Sequence, residues 1–133
     1  MKKNLFLILL IFIFLITATS CGKKSENNLH LTVYATHWAS TDHMQAPEEE
    51  FYFDNLKVNE KYVVEEGSFV LTFTVTEINE NSIVIKTTEP FSEGENGINL
   101  NSNQKEFTIE RGGQIKLTTP SMDAGGIYKL RLY

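Results

Sequence analysis

The sequence predicts an all-β domain: an antiparallel β-sandwich of about seven to eight strands. Three observations carry this expectation. Apolar and polar residues alternate at period two, most clearly in "SFVLTFTVTEI", Ser68–Ile78. Clusters of Asn, Gly and Ser recur between such runs, at intervals of about 8 to 12 residues. Beyond the first twenty residues, no segment spaces its apolar residues as a helix would. A small β-barrel made of the same strands is the alternative.

The elements follow in order. "LHLTVYATHW", Leu29–Trp38, sets Leu31, Val33 and Ala35 against His30, Thr32, Tyr34 and Thr36. Glu50–Phe53 and Lys61–Glu65 are short strands, the first with Phe51 and Phe53 inward and Tyr52 outward. In Ser68–Ile78, Phe69, Leu71, Phe73 and Val75 share one face, and Val70, Thr72, Thr74 and Thr76 the other. Its β-branched and aromatic residues suit a half-buried pleated surface. Asn79–Asn81 is turn chemistry, and Ser82–Thr88 returns to complete a hairpin. The polar stretch Glu89–Lys105 reads as a loop with a short strand at Ile98–Leu100. Strands at Glu106–Glu110 and Gln114–Pro120 flank a turn at Arg111–Gly113, and a last strand runs Ile127–Tyr133.

"DAGGIY", Asp123–Tyr128, is similar to the tyrosine corner of immunoglobulin-like domains. The resemblance implies an Ig-like sandwich in which the Tyr128 hydroxyl bonds back to the backbone of the corner. The tyrosine falls one residue later than in that family, and Leu130 stands where its cysteine would be.

The first twenty residues are of a different kind. Lys2 and Lys3 precede an unbroken apolar run, Leu5–Ile16. That run is shorter than the roughly 20 residues a permanent transmembrane helix needs. A charged start, a short apolar middle and a small-residue end mark an export signal. "ATSC", residues 18–21, resembles the lipobox of bacterial lipoproteins, with Ala18 where that family usually has leucine. The resemblance implies a signal peptide over 1–20, a helix removed by cleavage. It implies a lipidated tether over 21–28 and a single sandwich domain over 29–133. It also implies acyl chains such as palmitate attached through Cys21. Such chains, at about 0.8 kcal/mol per buried CH₂, hold a protein on the outward, extracytoplasmic face of the cell membrane.

Cys21 is the only cysteine, so the domain is expected to fold without a disulfide. The 133 residues carry a formal charge of −5. Without Lys2 and Lys3, ten basic residues face seventeen acidic ones, a formal −7. This balance argues against a nucleic-acid partner.

Candidate chemistry gathers in "HLTVYATHWASTDHM", which holds all three histidines and the single tryptophan. A copper or zinc site would use His37 and His43, with Met44 as a soft copper ligand. Regular geometry keeps these apart. On a strand, six residues separate His37 from His43 by about 20 Å. On a helix they lie about 240° apart around the axis. Only a tight loop over Ala39–Asp42 would bring them together. Apart from the covalent lipid, no cofactor is expected. No G-x-S-x-G elbow occurs, and lipidation of Cys21 leaves no thiol nucleophile. The expected class is therefore non-enzymatic: a binding or interaction module for a protein, peptide or envelope ligand, an immunity-type role included. Tyr34, Trp38 and Tyr52 are the candidate aromatic platform. Two other readings remain: a metal-binding lipoprotein using His37 and His43, and a structural envelope protein without a specific ligand.

Overall fold

The computed structural model describes residues 28–40 and 46–133. The signal segment, Cys21 and nearly all of the tether lie outside the described residues, as do Asp42, His43 and Met44. The described chain forms nine strands and no helix. They are β1 (Leu31–Ala39), β2 (Glu49–Phe53), β3 (Lys61–Glu66), β4 (Phe69–Ile78), β5 (Ser82–Thr87), β6 (Ser92–Glu93), β7 (Glu106–Glu110), β8 (Gln114–Thr118) and β9 (Ala124–Leu132).

Two antiparallel sheets face each other, one ordered β2-β1-β9-β8-β6 and the other β3-β4-β5-β7. The fold is the all-β sandwich that the alternation predicts. Each sheet keeps two edges, so the barrel alternative is not realised. β1 and β9 pair along nine residues, from Leu31↔Leu132 to Ala39↔Ala124, and so put the two ends of the described chain side by side. The strand count exceeds the expected number because of β6, two residues that pair with β8.

Period-two alternation sorts residues between core and solvent. From the five-stranded sheet, Leu31, Val33, Ala35, Leu117, Tyr128, Leu130 and Leu132 point inward and are buried. Val64, Leu71, Phe73, Val75, Ile83, Ile85, Phe107 and Ile109 meet them from the other sheet. Phe53, Tyr62 and Phe73 form an aromatic knot at one end, with centroids 5.3 to 5.9 Å apart. Phe91 packs edge-on against Tyr128.

Three local features depart from the expected strands or from strict alternation. Ile98–Leu100 is not a strand. Gly94 and Gly97 take positive φ, and the chain turns from Asn99 to Ser102, which breaks any extended run. In β4 a bulge between Val75 and Glu77 shifts the register against β5. It opposes Ile78 to the buried Ile83, so Ile78 faces the core although strict alternation sends it outward. Finally, β9 begins at Ala124, three residues before the expected start, so Gly125 and Gly126 lie inside the strand.

Candidate functional site

The outer face of the five-stranded sheet is built from alternate residues. Antiparallel partners project to the same side. The β1 and β9 register therefore places Thr32, Tyr34, Thr36 and Trp38 beside Arg131, Lys129, Ile127 and Gly125. β2 adds Tyr52 and Glu50, opposite Thr32 and Tyr34. β8 adds Lys116 and Thr118. Tyr34, Trp38 and Tyr52, the aromatic residues singled out from sequence, thus share one solvent-facing surface.

At one end of this surface three tyrosines gather. Tyr52 is 67% exposed, and its hydroxyl donates to Glu50 Oε2. That bond raises the Tyr52 phenol above its ordinary range. The Tyr34 phenol is pushed up to about 12, chiefly by its hydroxyl interaction with Tyr133, with desolvation and the charges of Tyr133, Glu50 and Tyr52 adding. The Arg131 guanidinium lies 5.0 Å from the Tyr133 ring centroid, within cation–π range. Lys129 bonds Glu48 at 2.8 Å. The patch combines flat aromatic area with charges of both signs.

At the other end Trp38 walls a cleft of about 210 Å³ with Gly97, Ile98, Lys116, Thr118 and Ile127. The 94–100 loop brings Ile98 there. The indole sits over Gly125, where a Cβ would lie 3.2 Å from Nε1 and 2.8 Å from Thr119 Cβ. The indole N–H is buried and has no hydrogen-bond partner among the described residues. The adjacent glycine works on the opposite face: a Cβ on Gly126 would lie 2.5 Å from the Tyr128 hydroxyl. "DAGGIY" therefore has a different structural meaning from a tyrosine corner. Tyr128 lies along β9 over Gly126, and its buried hydroxyl has no partner among the described residues.

The histidines separate as their parity requires. His30 bonds Asp54 at 2.6 Å on an exposed rim. His37 points inward at the end of β1. Its Nδ1 lies 2.6 and 2.8 Å from the two carboxylate oxygens of Glu66, and its ring tilts over Phe69 at 5.9 Å. His43 and Met44 belong to the undescribed loop. Among the described residues, no three His, Cys, Asp or Glu side chains converge as a metal site would require.

Sequence reasoning missed Tyr133, Arg131, Glu50, Ile98 and Ile127 as members of this face, and Glu66 as the partner of His37. Only the pairing of β1 with β9 and β2 brings Tyr133, Arg131, Glu50 and Ile127 there, and one strand's alternation carries no information about its neighbour's register. A scan against protein-family models, a search of curated proteins and a search of solved structures each find no match to this chain.

Proposed function

We propose that this chain is a lipid-anchored, extracytoplasmic membrane protein whose sandwich is a non-enzymatic binding module, and that the outer face of the five-stranded sheet is its binding surface. The observation that carries the reading is the convergence of Tyr34, Trp38 and Tyr52 on that face, joined by Tyr133 and the Trp38–Ile98–Ile127 cleft. Rigid aromatic residues bury much area for little entropy, and interfaces are enriched in Tyr, Trp and Arg. Strands hold these side chains in place, so little ordering cost falls on binding. The ligand class is a protein or peptide, or a component of the envelope. Lipid on Cys21 would set this face close to the membrane's outer surface.

The test has two parts. Fatty-acid labelling in cells should mark the native chain and not Cys21→Ala; labelling that persists in the variant removes the anchor. For the face, the lipidated protein serves as bait against envelope extract. Tyr34→Ala/Tyr52→Ala should keep its thermal unfolding transition and lose its captured ligand, whereas equal capture would refute the assignment.

One observation favours a second reading, copper or zinc held by His37 with His43 and Met44. Glu66 occupies Nδ1, and Nε2 has no partner among the described residues. Metal-bound histidines commonly hold a carboxylate on their other nitrogen in this way. Titration of the chain with copper and zinc by calorimetry separates the readings: affinity tighter than micromolar, lost in His37→Ala, would favour the metal.

A further inference from the structure

The outer face of the second sheet carries an independent feature. Six lysines lie among the described residues. Lys57, Lys116 and Lys129 each lie within 4.0 Å of a carboxylate. The other three, Lys61, Lys86 and Lys105, form no ion pair among the described residues, although acidic residues outnumber basic ones in the chain. These same three line one open groove of about 420 Å³, with Thr74, Thr76 and Thr88 between them.

The register explains the convergence. Lys61 on β3 opposes Thr74 on β4, which opposes Lys86 on β5. All three side chains leave the same face, and two strand spacings set Lys61 and Lys86 about 10 Å apart. Lys105 precedes β7, and its Nζ donates to the Thr88 carbonyl at 2.7 Å, which holds the third charge at the groove wall. The Thr76 hydroxyl is spent on the Val84 carbonyl. Those of Thr74 and Thr88 have no partner among the described residues. Glu106 is the register partner of Lys86 and forms no ion pair with it.

We infer that this groove binds phosphate-rich anions, with a polyphosphate chain as its ligand. Ammonium groups act as point charges for phosphate oxygens, and threonine hydroxyls supply neutral donors between them. Lysines anchored at strand positions about 10 Å apart suit a chain of repeated charges better than one small anion. The groove lies on the flank of the sandwich. The register puts Glu65 and Glu110 on this same outer face, and neither lines the groove. The site is separate from the aromatic face and does not depend on it.

The full chain should bind inorganic tripolyphosphate in calorimetry at low ionic strength, more weakly as salt rises and the screening length shortens. Lys61→Gln/Lys86→Gln/Lys105→Gln should keep its thermal transition and lose at least about tenfold in affinity, because it lacks all three ammonium groups that line the groove. Lys57→Gln/Lys116→Gln/Lys129→Gln, with the same change in net charge, should bind as the native chain does. Three results would overturn the inference: no binding at millimolar tripolyphosphate, equal losses in the two triple variants, or groove-dependent binding only to vesicles of phosphatidylcholine and phosphatidylglycerol. The last would make the bilayer the ligand.

Discussion

His37 and Glu66 join the two sheets at one end of the sandwich. Nδ1 of the histidine lies 2.6 Å from the nearer oxygen of a carboxylate whose side chain is only 5% exposed. The contact couples the end of β1 to the end of β3, beside the turn at Gly67. A carboxylate left buried without its donor costs about 1–3 kcal/mol. His37→Ala should therefore lower stability by that amount in urea unfolding. Glu66→Gln, which keeps an acceptor and removes the charge, should cost less. Equal stability of His37→Ala and the native chain would show that the carboxylate finds another partner.

Tyr128 makes stability sensitive to alkali. Burial, and secondly the charge of Glu66, push its phenol from 10.0 to about 12. The folded chain thus holds this proton more tightly than the unfolded chain does. Its contribution is intact below pH 10 and is lost as pH rises towards 12, at about 1.4 kcal/mol per pH unit for one proton. Tyr34, also raised to about 12 but at the surface, adds a smaller, solvent-screened share. Tyr128→Phe removes a buried hydroxyl without a partner among the described residues, so at neutral pH it should leave stability unchanged or raise it by about 1 kcal/mol. The variant should also show a shallower alkaline loss. A decrease of more than about 1 kcal/mol at neutral pH would mean the hydroxyl is hydrogen-bonded in solution.

The two glycines of "DAGGIY" differ in what a side chain would disturb. Gly126→Ala drives a methyl into the Tyr128 ring in the core and should cost about 1–3 kcal/mol. Combined with Tyr128→Leu, it should cost less than the sum of the two single changes, because the atoms that clash are gone. Gly125→Ala presses on Thr119 and the Trp38 indole on the outer face. It should shift tryptophan fluorescence, which Gly126→Ala should leave nearly unchanged.

The aromatic knot of Phe53, Tyr62 and Phe73 packs one end of the core. Phe73 is fully buried, and Phe73→Ala should cost about 3–5 kcal/mol in chemical denaturation. A loss below about 1 kcal/mol would show that the core relaxes into the space or that this end is loosely packed.

Much of the fold was legible because the alternation is strong. Phe69, Leu71, Phe73 and Val75 read as one face and are one face of the core. The Asn79–Asn81 turn joins the hairpin predicted around it. That Ile78 faces the core was not legible, because a bulge is a property of the β4–β5 pair and leaves no mark in β4 alone. Ile98–Leu100 was misread because its alternation is real but two left-handed glycines and a turn interrupt it. The site was legible in part. Parity puts Tyr34 and Trp38 on one face, and Tyr52 outward on its own strand. That β2 pairs with β1, and that Tyr133 and Arg131 arrive on β9, needed the sheet order. Glu66 lies 29 residues from His37, and no local pattern links the two.

The central claim, that ligand meets the outer face of the five-stranded sheet, is tested most directly by photocrosslinking in cells. Benzoylphenylalanine is placed at Tyr52, and separately at Val70, which is 49% exposed on the opposite sheet. Ultraviolet light should give a discrete adduct from position 52 and none from position 70. An adduct from Val70 and none from Tyr52 would contradict the account.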